Sequence, residues 1–417
     1  MKIWVYSEEF DNVPLLMGCL TGELLRGKEL FSFEYCDDWL KDKHSKNIDP
    51  DLSLYNGRQY PSVGKMNFGL FLDSTPDRWG RLLLDRREVL RAREEKRPIQ
   101  PLREWDYLLG VFDGSRMGAL RFKIDPDGPF LDNDSTLASP PWTSLRELEN
   151  ASLQLEQDKE MKNSRWLTML LQPGSSLGGA RPKANVVDSE GNLWIAKFPS
   201  RMDTKDIGAW EWVCMQLARH CGIIVSNVKA ERLGCEHHTF LTRRFDRNGT
   251  NHRIHFVSAM TLLGYCDGAS GSDGVSYLEL VEWIETHCAD VQANLDQLFR
   301  RIVFNIAISN CDDHLRNHGF LLTDKGWNLS PAYDLTPDVF GTGLKLNITE
   351  NDNSLDMNLV REVAPYFGIH NAENIITDVR AAVEGSGRWH GFGWRNLATR
   401  IGISRYEQDQ MASAFSH

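Results

Sequence analysis

The chain has 417 residues, of which 41% are hydrophobic and 25% charged. That is ordinary for a folded chain of two or three domains and excludes wholesale disorder. The formal net charge of −11 argues against nucleic-acid binding over the whole surface, although a local basic patch is compatible with it.

The opening MKIWVYSEEF carries acids at once and lacks an apolar core, so no signal peptide is expected. No 18-residue apolar run follows, so no membrane span is expected. Eight cysteines without a CxxC pair disfavour a zinc ribbon or a redox motif and fit free thiols in a reducing cytoplasm. Ile3 and Val5 alternate. After a turn at Asp11–Asn12, Val13 to Leu20 and Leu30 to Tyr35 read as further short strands. Residues 37–60 read as loop. In the segment 67–97, Asp77 is a helix cap ahead of an apolar face of Trp79, Leu83, Leu84 and Leu90. The many basic residues there are expected on a solvated face rather than in a binding patch.

Residues 125–142, rich in Pro, Asp, Asn and Ser, read as a long loop or linker. Asn185–Val187 and Leu193–Phe198 flank the turn sequence DSEGN. Leu193, Ile195 and Lys197 share one strand face. A lysine on an apolar face calls for a counter-charge or an anion. Trp210, Val213, Cys214, Leu217, Ala218 and Cys221 follow helical spacing, with Gly222 as the stop. Thr239–Thr242 reads as a strand, followed by RRFDRNG. Tyr277, Leu280, Val281 and Ile284 form one helical stripe. Val291, Leu295, Leu298, Phe299, Ile302, Val303, Ile306 and Ala307 form a longer one, the mark of a core helix. It stops at Ser309–Asn310. A polar stretch, CDDHLRNHG, then precedes a hairpin over 320–329 and SPAYDL.

Three clusters carry chemistry. GSSLGGARPKA, at 174–184, can bring backbone N–H groups and the cations Arg181 and Lys183 to a phosphate. It is no Walker A motif, and a flexible turn explains it equally well. Lys197 on its strand, with Glu211 on the following helix, fits a phosphate-holding lysine and its carboxylate partner; a solvated helix position is the plain alternative for Glu211. Strongest is NCDDHLRN at 310–317 with YDL at 333–335. An Asp, an Asn five residues on and a second Asp beyond a hairpin match the base and Mg²⁺ ligands of phosphoryl transfer. A rival use of Asp312, Asp313, His314 and His318 is a Zn²⁺ or Mn²⁺ hydrolase site.

With SLGGARPKA at 176–184, WIAKF at 194–198, TRRFDR at 242–247, NCDDHLRN, SPAYDL, and upstream DSTPDRWGRLLL at 73–84 and MGALRF at 117–122, the sequence resembles the HipA family of toxin–antitoxin Ser/Thr kinases. The resemblance implies an α+β, two-lobed protein-kinase-like fold. It would have an N-terminal subdomain over 1–125, a β-rich N-lobe over 143–245 and a helical C-lobe over 246–417. It implies ATP and Mg²⁺ as cofactors. Lys197 would contact the phosphates, alongside Gly178, Gly179, Lys183 and Arg316. Arg243 to Phe245 would line the adenine. Asp312 would be the base, His314 a support of its loop, and Asn317 and Asp334 the metal ligands. Ser176 matches the autophosphorylation site. Implied partners are an aminoacyl-tRNA synthetase as protein substrate and a small helix-turn-helix antitoxin, with DNA reached only through that antitoxin. Asp313 stands where the family has a small residue and is expected to add negative charge near the site. Arg316 stands where lysine is frequent, and Arg243 where an acid is. A non-catalytic regulator on the same fold is the remaining alternative.

Overall fold

Period-two patterning at the N-terminus builds strands. The computed structural model describes residues 1–8, 13–43, 45–76, 78–131, 140–158, 167–171, 179–249 and 252–417. These divide into two compact units. One comprises Met1–Met202, Leu233–Cys235 and Asp246–Val257; the other comprises Asp203–Arg232, Glu236–Phe245 and Ser258–His417.

In the first unit β1 (Lys2–Ser7), β2 (Leu15–Leu25), β3 (Lys28–Tyr35) and β4 (Leu120–Lys123) form an antiparallel sheet in the order β3-β2-β1-β4. Ile3 and Val5 are buried and Trp4 and Tyr6 half-buried, as alternation across a strand requires. Phe71 lies 5.5 Å from Phe33 and 6.2 Å from Phe122 between ring centroids, an aromatic core behind the sheet. The expected turn at 11–12 and the cap Asp77 lie outside the described residues. A short helix, α1 (Asp37–Lys41), interrupts the segment read as loop because Trp39 has a core to enter.

Helix α2 (Arg78–Glu94) buries Trp79, Leu83 and Leu84, while Leu90 is half-buried. Some of the surrounding basic residues are neutralised locally. Arg81 grips Glu104 through two bonds of 2.7 and 2.8 Å, and Arg97 grips Glu88 through two of 2.5 and 2.9 Å. Helix α3 (Leu145–Gln157) was not foreseen. Its stripe of Leu145, Leu148, Ala151 and Leu155 is diluted by polar residues, and only burial reveals it. The hairpin of β5 (Lys183–Val187) and β6 (Leu193–Lys197) follows the expected turn. Asp188 Oδ1 accepts from the amides of Glu190 and Asn192, both at 2.9 Å, and Gly191 takes φ +82°, which favours glycine.

In the second unit α4 (Ile207–His220) starts on Asp206, whose side chain accepts from Ala209 N at 3.2 Å. It ends before Gly222 at φ +76°. Strands β7 (Val228–Glu231) and β8 (Thr239–Arg243) pair antiparallel. A short strand, β9 (His255–Ser258), follows in sequence; its first three residues count in the first unit. Helices α5 (Tyr277–His287) and α6 (Val291–Ala307) match the two stripes read from the sequence, and α6 matches its limits. Helix α6 is buried on almost every side, including the polar residues Arg301 and Asn305. The hairpin of β10 (Gly319–Thr323) and β11 (Gly326–Leu329) lies where it was expected. Helix α7 (Ala372–Glu384) adds Ile375, Ile376, Val379 and Val383 to the core. All eight cysteines are free thiols. Among the described residues no helix is long and apolar enough to cross a membrane.

Candidate active site

The first unit contributes two lysines placed by strand register. Lys183 of β5 and Lys197 of β6 are direct partners across the antiparallel hairpin, which sets their Cβ atoms roughly 5 Å apart. Lys183 is buried and Lys197 half-buried. The face that carries Lys197 is only partly buried, with Leu193 in the core at its far end. Trp194 and Ala196 point into the core, while Ile195 is half-buried like Lys197. Like charges opposed in this way repel, so the pair favours anionic company. Trp79 of α2 fixes β5 by donating from Nε1 to Lys183 O at 2.9 Å. Trp79 N also donates to Gly179 O at 3.3 Å, and Gly179 has φ +87°. Arg181 is half-buried; Ser176 and Gly178 lie outside the described residues.

Two stretches of the family pattern meet in the same unit. Asp246, fully buried, accepts from Gly118 N at 2.8 Å and from Arg247 Nη1 at 2.6 Å. Arg247 Nη2 reaches Arg116 O at 2.7 Å. The acid of TRRFDR thereby pins the turn that opens MGALRF.

The second unit carries the remaining candidates. Glu211 of α4 is buried, not solvated. Arg243 closes β8, and the Phe245 ring lies 5.5 Å from that of Tyr333, tilted by 34°. Among the described residues only four other than glycine have positive φ. Two of them, Ser309 at +51° and Asp334 at +55°, bracket the polar stretch after α6. Such backbone costs about 1–2 kcal/mol per residue, and it clusters where function over-determines the chain.

Between these points the loop is braced by its own groups. Asp312 is exposed, while its carbonyl accepts from His314 N at 3.0 Å and from Asn317 Nδ2 at 2.9 Å. A carbonyl only accepts, so the Asn317 amide must turn its NH₂ towards Asp312 and its Oδ1 elsewhere. His314 is half-buried. Arg316 lies 3.7 Å from Asp267, and its carbonyl accepts from Tyr333 Oη at 2.7 Å. Thr336 N donates to Asn310 Oδ1 at 3.4 Å. The half-buried Asp334 is therefore held on both flanks, by Tyr333 and Thr336, against the loop bearing Asp312 and Asn317.

Asp313 does not behave as its sequence position suggested. Its carboxylate is turned inward and is 3% exposed. Oδ2 accepts from Tyr277 Oη at 2.6 Å, Asn305 Nδ2 at 2.7 Å and His318 Nε2 at 2.9 Å. Burial opposes its charge, but His318, Tyr277 and His314 outweigh burial and hold the carboxyl below the usual range. The supporting Tyr277, Asn305 and Arg301 were missed. Burial pushes the Arg301 guanidinium down to about 10, and its Nη2 donates to Ser330 O. The available signal was an Arg and an Asn one turn apart in the mostly apolar, buried second half of the helix. The hydrolase reading finds no support in this geometry. Asp313 and His318 are bonded to each other in the interior while Asp312 faces out. Among the described residues no group of three or more His, Cys, Asp or Glu is poised to hold a metal ion.

Comparison with known proteins gives the family and the fold. The HipA-like C-terminal domain model matches residues 175–386, just over half of the chain. The serine/threonine-protein kinase toxin HipA of Shewanella oneidensis is 25% identical over 39% of this chain and 43% of its own length. The chain spans about half the length of the curated relatives it matches. The solved structure of Shewanella oneidensis HipA, in complex with HipB and operator DNA, superposes with a TM-score of 0.65 at 19% identity, covering 99% of this chain and 95% of that one. The fold is thus the α+β fold expected from the sequence, and the chain belongs to the HipA family.

Proposed function

We propose that this chain is a Ser/Thr protein kinase, the toxin of a toxin–antitoxin module, that transfers the γ-phosphoryl group of MgATP to a hydroxyl of a translation-related protein and to its own Ser176. One observation carries the reading. Asn317 spends its amide NH₂ on the Asp312 carbonyl, which leaves its Oδ1 available in the same braced segment that positions Asp334. Asn317 Oδ1 and the Asp334 carboxylate are the hard oxygen donors that Mg²⁺ prefers. When bound, the ion supplies charge neutralisation on the phosphate oxygens.

The chain's own groups take the remaining roles. Lys197 and Lys183 hold phosphate oxygens, with Gly178 and Gly179 allowing close approach of backbone and Arg316 adding charge. Arg243 and Phe245 line the adenine. Asp312, exposed and uncommitted through its carboxylate in the bonds described, accepts the hydroxyl proton. The hydroxyl oxygen then bonds to the γ-phosphorus as the bridging bond to ADP breaks. His314 supports the loop. An aminoacyl-tRNA synthetase is the proposed protein substrate and a small helix-turn-helix protein the proposed antitoxin, through which DNA would be reached.

The test is incubation of the full chain with Mg²⁺ and γ-labelled ATP. Label is expected on Ser176. Asp312→Asn should cut the rate by ~10²–10⁴-fold, the range for a lost general base. Absence of both label transfer and ATP binding would overturn the proposal. Label undiminished in Asp312→Asn would overturn the assignment of the base.

A further inference from the structure

The adjacent aspartates of NCDDH are separated by the fold. Asp312 faces solvent; Asp313 is buried, with three hydrogen bonds converging on its Oδ2. An ionised carboxylate only accepts, so the tyrosine hydroxyl, the asparagine NH₂ and His318, in the tautomer with hydrogen on Nε2, are all donors. They come from α5, from α6 and from the residue that leads into β10, so one oxygen joins three elements distant in sequence.

The network does not end there. Asn305 Oδ1 accepts from Asn310 Nδ2 at 3.0 Å, and Asn310 N donates to Asn305 O at 2.8 Å. Asn310 Oδ1 in turn receives Thr336 N at 3.4 Å, two residues beyond Asp334. The backbone of Asp312 is therefore clamped two residues before by Asn310 and one residue after by Asp313, and both clamps close on Asn305. The hub thereby resists movement of the Asp312 backbone, and Thr336 ties the Asp334 segment to it. A residue needed only to fill the core would require neither a charge nor three donors, since an apolar side chain fills space at lower cost.

We propose that Asp313 is a positioning residue: its buried carboxylate fixes the loop that presents Asp312 and Asn317 and keeps that loop in register with Asp334. Asp313 touches no substrate and acts through the backbone. The kinetic consequence rests on the phosphotransfer reading above; the structural consequence does not.

Asp313→Asn keeps the shape and removes the charge; Tyr277→Phe removes one donor of three and is the milder variant should the first fold poorly. Both are assayed as the full chain. The autophosphorylation rate at saturating MgATP should fall about 10- to 100-fold in Asp313→Asn, the scale of a small misplacement of reacting groups. The MgATP concentration for half-maximal rate should rise by less than the rate falls, since Asn317 and Asp334 are the proposed metal ligands while the larger loss is in placing the reacting groups. Tyr277→Phe should show the same split with a smaller fall. Hydrogen–deuterium exchange should rise over residues 310–317 while the core of α6 keeps its protection. A saturating rate equal to wild type in well-folded Asp313→Asn, or a rate lost only in proportion to unfolded protein with unchanged exchange over 310–317, would reduce Asp313 to a core residue. Should the wild-type chain itself transfer no phosphoryl group, the kinase reading falls, and the exchange measurement alone decides the positioning role.

Discussion

Asp49 in the first unit and Asp313 in the second are buried almost equally, at 1% and 3% exposure, yet their surroundings drive them in opposite directions. Asp49 accepts two backbone N–H bonds, from Asp51 at 2.9 Å and Leu70 at 2.8 Å. Burial still pushes its carboxyl up to about 6, with the negative Asp51 adding to the effect. Lys65, bonded to Asp51 at 2.8 Å, opposes the rise without cancelling it. Asp313 has three side-chain donors and two imidazoles beside it, and its carboxyl is held down. Two backbone hydrogen bonds and Lys65 do not offset burial at Asp49, whereas three side-chain donors with two imidazoles close by do so at Asp313. Asp49 stitches a loop to a core. Asp313 retains its charge within the loop that carries the candidate base.

The comparison can be broken most directly by truncation. Asp313→Ala leaves a hydroxyl, an amide and an imidazole buried without their acceptor, and should cost ~3–5 kcal/mol of stability in urea unfolding. Asp49→Ala removes an acceptor from only two backbone amides and should cost about 2 kcal/mol. Equal costs would erase the distinction.

The pH dependence should have opposite signs. The folded-state value of Asp49 is raised, so its contribution is fully present below the unfolded value of ~4 and is lost as pH rises through about 6. Over that window the loss should be at most ~3 kcal/mol, and Asp49→Asn should flatten it in unfolding curves collected from pH 4 to 7. The folded-state value of Asp313 is depressed. Its contribution is present above the unfolded value and disappears as pH falls below ~4. Asp313→Asn should remove part of the acid limb below pH ~4. The smallest effect expected is that of Tyr277→Phe, about 1.5 kcal/mol at neutral pH for one charge-assisted bond. No measurable change would mean that two donors suffice.

Much of the scaffold was legible because its signals are local. The strands at 2–7 and 28–35, the hairpin turn at 188–192, helix α6 and the hairpin at 319–329 all follow from periodicity or turn chemistry over a few residues. Helix α3 was missed because its apolar stripe is diluted by polar residues. At the candidate site, residue types and chain order singled out Lys197, Asp312, Asn317 and Asp334. They did not reveal that Lys183 lies opposite Lys197, because strand register is set by pairing across the turn.

What the sequence determined by itself is therefore the order of elements and the identity of the chemical groups, since propensity, alternation and helical spacing act between near neighbours. What only the tertiary structure decided is which of two adjacent aspartates meets solvent and which meets the core. No periodicity governs a loop of this kind. The choice is made by Tyr277, 36 residues before Asp313, and by Asn305, 8 residues before it, because a buried charge persists only where the fold assembles donors and positive neighbours around it.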